Sequence, residues 1–394
     1  MVLEEIDFIK KSVKQWAKPE KVQGSLLNFP SSNYIHPSPF GVSLIIGAWN
    51  YPFQLTLAPL VGAIAAGNCA ILKPSEMTPH TSALIKEMIE STFDDAYIAV
   101  VEGGIPVNQT LLKQPFDKIF FTGSPAVGKI VMKAAAENLT SVTLELGGKS
   151  PCIVEKTADL EVAARRIVWG RVVNGGRTCE GPDYLVVHEE VKKAFVDKLK
   201  KYITEQYGSN PLESPDYPRI INRKHFDRLT AYLSNGQVVA GGETIAEENY
   251  IAPTLLDEVA WEDDVMQEEI FGPILPILTY SNEDLLIAKI RKLPKPLAFY
   301  MFSTNRSTQK KFLKTLDFGG ASVNDTISHL INPHLPFGGV GNSGAGAYHG
   351  KASFDVFTHF KSVMKRANWL DVPLRYAPYK GKLQLIKQAF KWMA

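Results

Sequence analysis

From Val42 onward, short apolar runs rich in β-branched residues alternate with segments of helical spacing, and few folds accommodate that alternation. Val42 to Trp49 reads as a strand, Phe53 to Ala66 as a helix, Cys69 to Lys73 as a strand and Ser82 to Phe93 as a helix. Ile98 to Glu102, Lys118 to Thr122, Lys129 to Glu137 and Val142 to Leu146 continue the series. A second series runs from Pro151-Cys-Ile-Val154 through a helix near Leu160 to Val173, a strand at Tyr184 to His188 and a helix through Leu199. Strands joined by helical crossovers imply parallel sheets covered by helices. The expected fold class is therefore α/β, with two doubly wound domains. Pro30, Pro37 and Pro39 deny the stretch between them a helix, so it reads as an extended linker or hairpin arm. Leu55 to Leu72 is almost wholly apolar, but Pro59 and Gly67-Asn68 interrupt it. It reads as a buried helix turning into a buried strand rather than a membrane span.

A chain of 394 residues can build more than one core. Its formal net charge of +2 carries no electrostatic footprint for nucleic acid, which favours a small-molecule role. Cys69, Cys152 and Cys179 form no disulfide framework and lack the paired spacing of a zinc site, so no metal is expected and a reducing, cytoplasmic setting is. Acidic residues in Met1-Val-Leu-Glu-Glu-Ile-Asp-Phe8 sit where a secretory signal needs basic ones.

Two segments suggest covalent chemistry. Val142-Thr-Leu-Glu-Leu-Gly-Gly-Lys149 puts Glu145 on an apolar strand, where desolvation raises a carboxyl toward a useful base. Gly175-Gly-Arg-Thr-Cys-Glu-Gly-Pro182 puts Cys179 in a glycine-rich turn, unlike Cys69 and Cys152, which sit in apolar strands as small core residues do. Nearby amides, and Arg177 if it faces inward, would lower the Cys179 pKa. Phe121-Thr-Gly-Ser-Pro-Ala-Val-Gly128 lies between a strand and a helix. Gly123 permits the turn, Ser124 caps, Pro125 suits the first helical position, and the free amides attract a pyrophosphate. The glycine spacing is not the usual dinucleotide fingerprint, so a plain capped helix remains the alternative. Lys73-Pro-Ser-Glu76, just after a strand, offers a lysine and a carboxylate to ribose hydroxyls, or is simply solvated.

Together with Gly47-Ala-Trp-Asn-Tyr-Pro-Phe53, Gln267-Glu-Glu-Ile-Phe-Gly-Pro273 and Pro336-Phe-Gly-Gly-Val-Gly-Asn-Ser-Gly344, these segments make the chain resemble the aldehyde dehydrogenase superfamily, closest to its class 3, fatty-aldehyde-oxidising branch. The resemblance covers about Leu3 to Arg375. It implies an NAD(P)-binding domain at 1–18 and 42–146, a catalytic domain at 147–327, and a bridging segment at 19–41 and 328–375 used for homodimerisation, followed by a tail at 376–394. It implies that Cys179 attacks an aldehyde, that Asn50 and the Cys179 N–H hold the oxyanion, and that Glu145 activates the water that hydrolyses the thioester. Glu269 and Phe271 would contact the nicotinamide ribose, Lys73 and Glu76 the adenosine ribose, with Trp49, Gly123, Ser124 and Gly128 also in the cofactor site. Glu76 favours a free 2′-hydroxyl, hence NAD, with NADP as the alternative. Asn324, in Val323-Asn-Asp325, also matches a family motif near the site.

Three departures stand out. Arg177 replaces a glutamine, Glu180-Gly181 replaces a small apolar pair, and Met1 falls where relatives already have helices behind them. A chain beginning there is expected to leave apolar surface uncovered and to bind NAD more weakly. In the tail, Leu383, Ile386, Phe390 and Met393 recur at helical spacing among Lys380, Lys382, Lys387 and Lys391. Such a helix can lie on an anionic membrane or dock over a substrate entrance. Two other functions fit the residues: a silent binding or dimerisation module, and a thiol esterase or acyltransferase using Cys179. The Glu269 and Phe271 motif argues against the esterase.

Overall fold

A computed structural model describes residues 1–393, without the side chains of residues 389, 390, 392 and 393. The expected contributions of Phe390 and Met393 to the tail helix therefore lie outside the described residues. The helix itself spans Leu383–Met393, with Leu383 and Leu385 exposed.

The first sheet has six strands in the spatial order Gly344–Ala345, Ser141–Glu145, Lys118–Thr122, Val42–Ile46, Cys69–Lys73, Ile98–Val100. All pairings are parallel except that of Gly344–Ala345 with Leu144 and Glu145. Leu44, Ile45 and Phe120 are fully buried, as strands covered on both faces must be, and this produces the unbroken apolar runs in the sequence. The long apolar stretch resolves into the helix Pro52–Ala66 and the strand Cys69–Lys73. Gly67 ends the helix at φ 86°, a left-handed cap glycine adopts without a Cβ penalty, and the Asn68 side chain donates to the carbonyls of Ala63 and Phe357. Among the described residues, no helix is long and apolar enough to cross a membrane.

The second sheet has seven strands in the order Gln237–Ala240, Thr254–Asp257, Ile274–Tyr280, Tyr184–His188, Pro151–Val154, Ala298–Phe302, Gly320–Val323. Only the first runs antiparallel to its neighbour. Cys152, Val154, Leu185 and Val187 enter one core, under the helices Leu160–Val172 and Lys192–Tyr207, while Ile153, Tyr184 and Val186 enter the core on the opposite face. The proline-rich arm is a strand, Ser31–Pro39, between Glu20–Val22 and Thr358–Arg366 in a separate antiparallel sheet.

Candidate active site

Both parallel sheets end in loops at their carboxyl edges, the usual ligand side of such sheets. Glu145 is the last residue of its strand, and Gly344 pairs opposite it. It is 3 % exposed, and neither carboxyl oxygen has a hydrogen-bond partner among the described residues. Burial, then the charge of Glu180, pushes its pKa well above the ordinary carboxylate value, as the sequence led us to expect.

The Cys179 loop follows the helix Leu160–Val172 through three consecutive residues at positive φ: Asn174 (53°), Gly175 (62°) and Gly176 (74°). A Cβ on Gly176 would fall 2.1 Å from the Gly272 carbonyl oxygen, so this glycine lets two backbones touch. Cys179 is partly accessible and packs against the apolar cluster that contains Ala58 and Tyr348. Its thiol is shifted upward, not downward. Burial leads, the charges of Glu180, Glu269 and Glu145 follow, and only the Glu180 backbone N–H opposes them. The expected help from Arg177 does not arise because its guanidinium turns away. It donates to the carbonyls of Asn174 (2.7 Å) and Arg219 (2.7 Å) and lies over the Trp49 ring.

Asn50 comes from the first sheet's loop yet is tied to the cysteine loop. Its Nδ2 donates to the Arg177 carbonyl at 2.9 Å, and Asn174 Nδ2 donates to the Asn50 carbonyl at 2.8 Å. The Asn50 amide has a second N–H for a ligand. Tyr51 adds a link, its hydroxyl 2.6 Å from Thr178 Oγ1.

The residues expected to hold a dinucleotide lie at and just beyond the ends of the first sheet's strands and in the loop that carries Glu269 and Phe271. Ser124 caps the helix Pro125–Glu137, accepting from the Val127 N–H at 3.4 Å, and Pro125 opens it. A Cβ on Gly128 would fall 2.6 Å from Leu146, which sets the close approach of helix to sheet edge, and one on Gly123 would strike the Phe121 ring. Lys73, 1 % exposed, donates to the Pro74 carbonyl and to Glu76 (2.9 Å). Burial pushes the Glu76 carboxyl up, but the Lys73 hydrogen bond and charge outweigh it and hold the group below its usual value. Glu269 lies against Gly147, where a Cβ would overlap its carboxylate. Burial and Asp183 push Glu269 up to about 8, against the Gly148 N–H, Arg171 and Lys149. Phe271 sits at φ 50°, costly for a bulky residue, with its ring edge-on to Trp49 at 5.3 Å.

Sequence reasoning missed the buried anchor of the Glu269–Phe271 segment. Asp183, 2 % exposed, accepts from Lys149 (2.6 Å), Arg171 (3.1 Å) and the Ile270 N–H (3.2 Å). The only local signals are the lysine ending one motif and the acid just after Pro182. Asn324 bonds both ways with the Ser303 backbone, at 2.8 and 3.0 Å, so its side chain ties two loops. A cavity of about 230 Å³ adjoins the cysteine's apolar cluster, sharing Ala58 and Leu330 with it and lined also by Glu5, Gln54 and His349.

A buried acid at a parallel-sheet edge, a cysteine on a glycine turn and an amide tied to that turn define an α/β enzyme site with a thiol. Residues 2–363 match the aldehyde dehydrogenase family, and the chain belongs to it. It is 52 % identical to the 4,4′-diaponeurosporen-aldehyde dehydrogenase of Staphylococcus aureus, over 99 % of this chain and 86 % of that one. It is 48 % identical to the mouse (Mus musculus) "Aldehyde dehydrogenase, dimeric NADP-preferring", over 97 % of this chain and 85 % of that one. The fold superimposes on the substrate-bound state of Staphylococcus aureus AldH with a TM-score of 0.95, at 52 % identity, covering 99 % of this chain and 85 % of that one. The protein is thus an enzyme that oxidises an aldehyde with NAD or NADP.

Proposed function

We propose that this chain oxidises a medium- or long-chain aliphatic or aromatic aldehyde to its carboxylate through a thioester on Cys179. The observation that carries this is the convergence of Asn50 and Glu145, from one sheet, on the Cys179 loop of the other. Cys179 adds to the carbonyl carbon. The free N–H of Asn50, with the Cys179 backbone N–H, receives the oxyanion as it forms. A nicotinamide held in this site would supply the two-electron acceptor that the oxidation needs. Glu145, with its pKa raised by burial, takes a proton from the attacking water and frees Cys179. Lys73 and Glu76 would hold the adenosine ribose, the Ser124 helix start the pyrophosphate, and Trp49, Glu269 and Phe271 the nicotinamide end. The carboxylate of Glu76 favours the free 2′-hydroxyl of NAD.

The protein acts as a cytoplasmic homodimer. The antiparallel sheet of Glu20–Val22, Ser31–Pro39 and Thr358–Arg366 supports this, as does the "dimeric" in the mouse relative's name. The lysine-bearing tail helix supports peripheral contact with an anionic membrane. Steady-state turnover across an aldehyde series with NAD and with NADP tests the proposal. Turnover is expected to peak beyond short aldehydes and to favour NAD, and the absence of cofactor reduction with every aldehyde would refute it.

A further inference from the structure

Arg177 departs from the family pattern two residues before the proposed nucleophile, and no step above uses its side chain. It is 7 % exposed, and its three side-chain hydrogen bonds all end on uncharged oxygens. Nε donates to the Asn174 carbonyl at 2.7 Å, Nη2 to Asn174 Oδ1 at 3.1 Å, and Nη1 to the Arg219 carbonyl at 2.7 Å. Burying a guanidinium is costly, and two of the bonds that offset the cost fall on the single residue Asn174.

A guanidinium only donates, so its Nη2 fixes which end of the Asn174 amide carries the oxygen. The opposite end, Nδ2, is thereby turned to the Asn50 carbonyl, to which it donates at 2.8 Å. Asn50 closes the ring, its own Nδ2 donating to the Arg177 carbonyl at 2.9 Å. The guanidinium also lies 5.8 Å over the ring of Trp49, the residue before Asn50. Two consecutive residues of the first sheet's loop are thus held from the cysteine loop. Asn174 suits its place, since it sits at φ 53°, which asparagine tolerates better than most side chains. A lysine at 177 would not serve, because its single nitrogen offers no fixed fork to the two oxygens of Asn174.

We propose that Arg177 is a positioning residue for oxyanion stabilisation: through Asn174 and through its own carbonyl it holds Asn50, backbone and side chain, where the second N–H of the Asn50 amide meets the oxyanion. This rests on the role of Asn50 proposed above. A guanidinium that merely braced the cysteine loop against Arg219 would act on stability or on Cys179, with no dependence on Asn50.

Steady-state kinetics of the full chain with NAD and one aldehyde, for Arg177→Met, Asn50→Ala and the double variant, form a double-mutant cycle. Arg177→Met is expected to lower kcat about 10- to 100-fold with KM for the aldehyde near its original value, the pattern of a lost transition-state interaction. In the Asn50→Ala background the same change should alter kcat by less than about twofold, because no donor remains to be positioned. Should Arg177→Met fail to fold, Asn174→Asp carries the test. Its carboxylate still receives the guanidinium but has no N–H for the Asn50 carbonyl, so kcat should fall only while Asn50 is present. Losses that multiply across the cycle, or an unchanged kcat in Arg177→Met, overturn the inference and leave the proposed function standing. An unchanged kcat in Asn50→Ala overturns both the inference and the proposed role of Asn50.

Discussion

Asp183→Asn probes the buried anchor beneath the segment that carries Glu269 and Phe271. Asp183 and Arg171 are each 2 % exposed on their side chains, and Lys149 is 10 % exposed, so one carboxylate answers two cations out of water. Asparagine keeps the shape and one acceptor for the Ile270 N–H but removes the charge. Burial already pushes Lys149 below its ordinary pKa despite Asp183, so in the variant Lys149 releases its proton more readily and escapes part of the cost. Arg171 cannot, because a guanidinium keeps its proton in proteins, and its Nη2 bond to the Ile274 carbonyl (2.7 Å) does not replace a counter-charge. Breaking a buried pair by removing one partner costs about 3–5 kcal/mol, and the release at Lys149 places this case near the lower end. Against a net stability of about 5–15 kcal/mol that is a large fraction, equivalent for a chain of 394 residues to a fall in Tm of about 4–6 °C. The assay pairs thermal unfolding with an NAD titration by fluorescence. The variant should melt lower and bind NAD more weakly, because Ile270 and its neighbours lose their tether. An unchanged Tm would refute the buried-charge reasoning, and a lower Tm with unchanged NAD affinity would detach the network from the cofactor site.

Asn50→Ala should lower turnover about 10²- to 10³-fold, the usual cost of one oxyanion donor, and an unchanged steady-state rate would remove Asn50 from the site. Cys179 and Glu145 must both lose protons to act, and burial and neighbouring acids hold both up, so acid pH switches the enzyme off early. The acid limb of the kcat profile should therefore lie well above the ordinary carboxylate pKa of about 4.3, and a flat profile from about pH 5 upward would contradict this.

The strands that carry the site were legible because parallel sheets bury both faces, which leaves runs such as Leu44 to Ile46 and Cys152 to Val154 without polar interruption. Gly344–Ala345 was not. A two-residue strand has no apolar pattern, and it exists only because Leu144 and Glu145 offer an edge to pair with. Cys179 and Glu145 stood out by being the wrong residue types for their settings, a thiol among glycines and an acid between leucines. The electrostatics around them did not. Arg177 turns away to reach the Arg219 carbonyl, 42 positions on, and the charges that set the Cys179 thiol come from residues 145, 180 and 269. Such sums depend on which loops share an edge, and a local motif does not carry them. Asp183 was missed for the same reason, since its two cations lie 12 and 34 positions away.

The covalent step itself is open to direct observation in Glu145→Gln, which retains the nucleophile and removes the base that frees it. Mixed with aldehyde and NAD, quenched in acid and digested, this variant should carry one acyl group on the peptide containing Cys179, formed with a burst of about one equivalent of NADH followed by a stall. Sustained turnover without an adduct, or an acyl group on Cys69 or Cys152, would contradict the account.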